Sequence, residues 1–150
     1  RLLSPVTTNV VEPGLSSYYI PGDFKQCAEV DLRKATEIDI TSTLSLTPFR
    51  NKARAFGLVF EGYISTFQDG IHTFSTSSDD GSQLLIDDIL VVDNDNKHAA
   101  FELTSSVNLA RGLHKIQIKY FQAGGNGELR VYMAEPGNTK HEISPGLLFH

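Results

Sequence analysis

The chain has 150 residues, 40% of them hydrophobic and 21% charged, and a formal net charge of −5. This length and composition predict one globular domain with a substantial core. The acidic balance argues against nucleic acid or an anionic membrane as partner, because both attract a basic face. No apolar run approaches the roughly 20 residues that span a bilayer, so no membrane insertion is expected.

The first segment, 1–17, is rich in Ser, Pro, Thr and Val and contains a Pro13-Gly14 turn signal. It is predicted to be a linker plus an edge segment, followed by a single domain over 18–150. No signal peptide begins the chain, as expected of a mature product or an excised module. The single cysteine, Cys27, excludes an internal disulfide and is expected to be a buried or edge thiol.

Alternating apolar residues predict strands along most of the chain. Residues 29–34 are charged and predict a helical turn or a loop, and residues 38–46 alternate well enough for a strand. The clearest pattern begins at Phe56, where apolar residues at period two are predicted to share one buried face as far as Ile64. A turn at 68–70 then returns the chain into a second strand over 71–78.

Two adjacent carboxylates, Asp79 and Asp80, follow this second strand. Asp80-Gly81 is a strong hairpin signal, and an apolar run resumes at Leu84. One Asp before Gly would suffice for a turn, so the second carboxylate suggests a further role. Hard cations such as Ca²⁺ take carboxylate and carbonyl oxygens from loops of this kind. The alternative is that both residues only form the turn.

The second half of the chain continues the β pattern. Short strands are predicted at 101–103 and 107–109, and longer ones at 113–122 and from Leu129 to Met133, with a glycine-rich loop at 124–127 between the long ones. No stretch has sustained helical periodicity, and turn signals recur along the whole chain. The predicted fold class is therefore all-β, an antiparallel, jelly-roll-like sandwich of two packed sheets with little or no helix.

Familiar catalytic motifs are absent from the sequence. It contains no Gly-x-Ser-x-Gly elbow and no phosphate-binding glycine loop before a helix. The five histidines are too far apart for zinc-ligand spacing, and His72 and His114 are interpreted as surface or packing residues. Neighbouring side chains on an extended strand point to opposite faces, which disfavours Asp79 and Asp80 as a glycosidase acid/base pair. No catalytic residue is assigned.

Seven motifs stand in an order and spacing that resemble the PA-fourteen domain, a β-sandwich module found in glycosidases, adhesins and toxins. They are GLVFEGYI at 57–64, DGIHTF at 69–74, SSDDGS at 77–82, LIDD at 85–88, LVVDN at 90–94, GLHKI at 112–116 and YFQAGG at 120–125. The resemblance covers about residues 56–149, and more weakly the chain from residue 18. Within the family, the sequence most resembles the domains attached to bacterial β-hexosaminidases and β-glucosidases.

The resemblance implies a sugar site built on Ca²⁺. In binding members of the family, two adjacent Asp joined by a cis peptide hold the ion, and an Asn and backbone carbonyls from a neighbouring loop complete the site. Carried over, the metal ligands would be Asp79, Asp80 and Asn126, and the sugar-binding residues Asp79, Asp80, Gly125 and Asn126. Asp88 stands where the family's hairpin usually has Gly, and Asp tolerates the left-handed conformation required there.

Three functions follow as hypotheses. The first is a non-catalytic carbohydrate-binding accessory module of a larger bacterial glycoside hydrolase that is secreted, periplasmic or exposed on the cell surface. The second is a structural module that packs against the neighbouring catalytic domain of the same chain and has no ligand. The third, a free-standing enzyme, is the weakest because the sequence offers no catalytic pair.

Overall fold

The computed structural model describes residues 1–8, 11–50 and 52–150. Residues 9 and 10 of the predicted linker segment 1–17, and residue 51 of the predicted domain 18–150, lie outside the described residues. In the described part no helix is long and apolar enough to cross a membrane.

Eleven strands run through the described residues. They are β1 (Leu15–Pro21), β2 (Glu37–Thr41), β3 (Ala55–Thr66), β4 (Gly70–Asp79), β5 (Ser82–Ile86), β6 (Ile89–Asn94), β7 (Phe101–Leu109), β8 (Gly112–Ala123), β9 (Glu128–Ala134), β10 (His141–Glu142) and β11 (Leu148–Phe149). The helical elements of this part are short 3-10 turns at Cys27–Glu29, Leu32–Lys34, Thr47–Phe49 and Pro145–Leu147.

The strands form two antiparallel sheets that pack face to face, which confirms the predicted β-sandwich. The larger sheet has the order β2-β1-β3-β8-β5-β6, with β11 also paired to β3, and the smaller has the order β10-β9-β4-β7. The predicted inward face of β3 is also confirmed, since Phe56, Leu58, Phe60 and Ile64 are all buried. Alternation with a period of two therefore locates the core between the sheets.

A second, smaller core covers part of the outer face of the larger sheet. Cys27 and Val30, from the segment between β1 and β2, pack there with Ile20, Val59 and Phe121. Of the two positions predicted for Cys27, the structure shows the buried one, and burial together with nearby Asp95 raises the pKa of its thiol far above the ordinary value. An un-ionised thiol is a poor nucleophile. Cys27 is therefore a packing residue.

Several local predictions need correction. The strand predicted over 38–46 ends at Thr41, and the two strands predicted at 101–103 and 107–109 are one continuous strand, β7. The polar residues between them pair with β4 without interruption, because β7 is the edge of its sheet and can expose polar side chains. The turn residues Asp87 and Asp88 have φ of 50° and 65°, so Asp does occupy the left-handed conformation predicted for this hairpin.

Candidate functional site: the Asp79–Asp80 turn

The Asp79–Asp80 turn connects the two sheets. Asp79 is the last residue of β4 in the smaller sheet, and Ser82 begins β5 in the larger one. The predicted Asp80-Gly81 hairpin is therefore wrong, because β4 pairs with β7 and β9 while β5 pairs with β6 and β8. Gly81 is needed where the chain crosses: a Cβ atom there would lie 2.5 Å from the ring of Phe121 and 3.0 Å from the backbone of Asn96. Residues from elsewhere in the chain therefore pack closely around Gly81.

Asp80 is 9% exposed, and two backbone donors fix its carboxylate. Its Oδ2 accepts a hydrogen bond from the N–H of Ala123 at 2.7 Å, and its Oδ1 accepts one from the N–H of His98 at 3.3 Å. The Asp80 N–H also donates to the carbonyl of Phe121 at 3.2 Å. Asp80 therefore connects the end of β8 to the loop after β6, and each carboxylate oxygen keeps a further lone pair for a ligand.

The neighbouring Asp79 is only partly buried, and the peptide bond between the two aspartates is cis. The backbone carbonyl of Asp79 accepts a hydrogen bond from the hydroxyl of Tyr120 at 2.7 Å. Burial, followed by the charge of Asp80 and then of Glu128, raises the pKa of Asp79 above its ordinary value, while His98 opposes the shift. As pH rises, ionisation of Asp79 therefore costs the folded state stability, and a cation beside it would favour the ionised form.

The loop 124–127 carries the other two predicted ligands. Gly125 and Asn126 are both exposed. Gln122 anchors this loop, since its Nε2 donates to the carbonyls of Gly125 and Arg54, each at 3.1 Å. Of the hydrogen bonds among the described residues, none joins Asn126 to Asp79 or Asp80. The loop therefore begins directly after Ala123, whose N–H donates to the Asp80 carboxylate.

This set of donors suits Ca²⁺ chemically. The carboxylates of Asp79 and Asp80, the Asn126 amide and the loop carbonyls are all oxygen donors, which hard cations prefer. In residues 1–8, 11–50 and 52–150, no group of three or more His, Cys, Asp or Glu side chains is placed to hold a metal. A cation at this turn would consequently need the amide of Asn126, backbone carbonyls, and water or ligand oxygens as well as the two carboxylates.

Sequence reasoning missed the residues that support the turn. Glu128 lies directly opposite Asp79 in the pairing of β4 with β9, and its Oε2 accepts a hydrogen bond from Ser77 at 2.9 Å. Tyr120 and Gln122 belong to the motif YFQAGG, but the motif does not show what their side chains contact. Strand register and long-range contacts bring these residues to the turn.

A buried polar cluster lies behind the turn. Ser82 Oγ is 2.7 Å from Ser78 Oγ and donates to Thr76 Oγ1 at 2.9 Å. Asn94 Nδ2 donates to the carbonyls of Thr76 and Phe101 at 3.2 and 3.0 Å. Serine and threonine hydroxyls therefore join β4 to β5 on both sides of the Asp79–Asp80 segment, and the Asn94 amide joins β6 to β4 and β7.

With this geometry, comparison with known proteins decides the family. The family model described as the PA14 domain matches residues 11–146. The chain belongs to the PA14 domain family. No curated protein matches the sequence of this PA14 domain.

Solved structures share the fold of this PA14 domain at low sequence identity. The PA14 sugar-binding domain from an RTX adhesin is 18% identical with a TM-score of 0.78, and 92% of this chain aligns with 98% of that chain. The epithelial adhesin 9 A domain of Candida glabrata, solved with Galβ1-3GlcNAc, is 12% identical with a TM-score of 0.73 over 97% of this chain and 92% of that one. A β-glucosidase from Kluyveromyces marxianus is 16% identical with a TM-score of 0.63, and the match covers 81% of this chain and 16% of the enzyme.

Proposed function

We propose that this PA14 domain is a non-catalytic carbohydrate-binding module whose sugar site is the Asp79–Asp80 turn together with Gly125 and Asn126. The proposal is carried by one observation: in a PA14 fold, two aspartates are adjacent, and the carboxylate of the second is fixed by the N–H of Ala123, the residue before an exposed, amide-bearing loop. The sugar-binding adhesin domain and the adhesin solved with a disaccharide support a carbohydrate ligand.

The metal ligands in this proposal are Asp79, Asp80 and Asn126. Bound Ca²⁺ would supply a positive centre with open coordination positions for vicinal sugar hydroxyls. The chain's own residues provide the orientation. The backbone N–H groups of Ala123 and His98 fix the Asp80 carboxylate, the Tyr120 hydroxyl holds the carbonyl of Asp79, and Gln122 holds the loop that presents Asn126.

Binding to a single sugar should be weak, with Kd near the millimolar end, because few atoms are buried and hydrated hydroxyls must be desolvated. Such affinity is useful when the module is tethered to a catalytic domain, because binding to a polymer then raises the effective substrate concentration. We therefore propose that the domain serves a bacterial glycoside hydrolase outside the cytoplasm. The match to 16% of the K. marxianus β-glucosidase supports the attachment of such a domain to a glycoside hydrolase.

A second candidate is a structural role without a ligand. Ile38 and Ile40 lie on the edge strand β2 and are 63% and 54% exposed. Exposed apolar side chains on an unpaired strand edge favour contact with another protein surface. A neighbouring catalytic domain of the same chain would provide such a surface.

Glycan binding with and without Ca²⁺ separates the two candidates. We expect the isolated domain to bind neutral glycans on an array in millimolar Ca²⁺ and to lose this binding in excess EGTA, because the sugar hydroxyls depend on the ion. Unchanged binding in EGTA would contradict the calcium mechanism. No binding under either condition would favour the structural role.

A further inference from the structure

A polar groove adjoins the candidate sugar site on the side of Asn126. It has a volume of about 520 Å³ and lies between the segment around the Thr47–Phe49 turn and the start of β9. Its polar lining consists of Ser45, Thr47, Arg50, Asn126, Glu128 and Arg130. Asn126 is thus shared between the groove and the candidate metal site.

Arg50 is the charged group held closest to the loop. Its Nη1 donates to the carbonyl of Gly127 at 2.9 Å, which fixes the guanidinium against the residue that follows Asn126. A carbonyl does not neutralise a cation, and Arg50 forms no ion pair with any residue in the described ranges. The remaining guanidinium N–H groups are available for a planar acceptor, since arginine carries five donors.

The other charges in the groove are already engaged. Arg130 is paired with Glu142 at 3.2 Å, and Glu128 accepts the hydroxyl of Ser77 at 2.9 Å. With Glu142 counted, the groove region holds two cations, Arg50 and Arg130, and two anions, Glu128 and Glu142, so its formal charge is zero in a chain whose net charge is −5. Because Glu142 offsets Arg130, Arg50 is left as the groove cation that forms no ion pair within the described residues.

We propose that this groove recognises an anionic substituent, a carboxylate or a sulfate, on the glycan held at Asp79 and Asp80. The preferred ligands would then be acidic sugars such as uronic acids or sulfated hexoses, with Arg50 as the specificity-determining residue. Arginine suits both groups because its planar fork binds two oxygens of one anion. This inference rests on the proposed sugar site and adds the substrate class.

The test compares matched neutral and acidic sugars on the same protein. Titration calorimetry or NMR in Ca²⁺ would use methyl galactoside, methyl galacturonoside and galactose 6-sulfate. We expect at least one acidic sugar to bind about tenfold more tightly than the neutral one, as for a charge-assisted hydrogen bond. Whichever acidic sugar shows the preference identifies the anion as carboxylate or sulfate. Added salt should reduce the preference, because Arg50 is exposed.

The variants are Arg50→Gln, Arg50→Lys and the control Arg111→Gln. Arg111 precedes β8, whereas Ala123, which contacts Asp80, ends it, so the control lies at the far end of the sandwich. Arg50→Gln should bind acidic and neutral sugars equally, Arg50→Lys should keep part of the preference for acidic sugars, and Arg111→Gln should keep all of it. Equal binding of neutral and acidic sugars by the native protein, or a preference that survives in Arg50→Gln, would overturn the inference while the sugar site stands. Failure of every sugar to bind would overturn the sugar site itself.

Discussion

We expect Ca²⁺ to raise the melting temperature of the native domain, and we expect Asp80→Asn to abolish this rise. The substitution removes the negative charge and one of the two oxygens, while the side chain keeps its size. A ligand present at 100 times its Kd stabilises the folded state by about 2.7 kcal/mol. In a domain of this size that corresponds to about 5–10 °C. Thermal melting with and without Ca²⁺ measures the shift directly.

The variant and the native domain should be compared by the change in melting temperature that Ca²⁺ causes, and not by the melting temperature alone. An amide at residue 80 accepts a hydrogen bond at only one of its two ends, so it leaves the N–H of either Ala123 or His98 without its acceptor. We therefore expect the variant to be less stable even without Ca²⁺, by about 1–3 kcal/mol. This loss is separate from the loss of the calcium response.

The chain supplies its own control in the second aspartate pair, Asp87-Asp88. Asp88 is exposed and pairs with Lys115, which lies near the start of β8, whereas Asp80 contacts its end. Eight residues of strand separate Lys115 from Ala123, a distance of about 26 Å. Asp88→Asn should change stability by less than about 0.5 kcal/mol and keep the full calcium response. Loss of the response in Asp88→Asn, or its persistence in Asp80→Asn, would place the cation elsewhere.

Gly127→Ala is expected to destabilise the domain by about 2 kcal/mol and to weaken sugar binding. A Cβ atom at this residue would overlap Oε1 of Gln122 and the hydroxyl of Tyr120. Both atoms lie in a well-packed region where added methyl groups cost about 1–3 kcal/mol. Displacing the two side chains would release the carbonyls of Gly125 and Asp79, which they hold in place. Chemical denaturation measures the first effect and glycan titration the second.

Gly146→Ala is the matched control for this substitution. Nothing lies within 4 Å of a Cβ atom built at Gly146. It should therefore leave both the free energy of unfolding and sugar binding nearly unchanged. If Gly127→Ala were equally silent, Tyr120 and Gln122 could not be the supports that position the two halves of the site.

The fold class could be predicted because its signal is local. The alternation from Phe56 to Ile64 identifies a strand with one buried face, and the structure confirms it. The same alternation did not reveal the second core, in which Val59 of the opposite face is covered by Cys27 and Val30. The second core forms where the segment between β1 and β2, which contains 3-10 turns, folds back over the sheet. This segment has no periodic sequence pattern from which its position could be predicted.

The candidate site could be predicted only in part, for a similar reason. Adjacent carboxylates before Gly81 are visible in the sequence and drew attention to this turn. The Asp-Gly pair predicted a hairpin, but such a pair indicates only that the backbone can turn there. It does not indicate whether the two flanking strands pair with each other, and here they belong to different sheets. Glu128 and Tyr120 reach Asp79 through strand pairing and a contact across 41 residues, which no neighbouring residue encodes.

The central claim is that one cation is held by both Asp79 and Asp80. A crystal of the domain grown with Ca²⁺ and a bound sugar, measured for anomalous scattering, tests it most directly. The account predicts one peak within coordination distance of both carboxylates and of an oxygen from the loop 124–127, with sugar hydroxyls completing the shell. Sugar density at the turn without such a peak, or a peak confined to Asp87 and Asp88, would contradict the account.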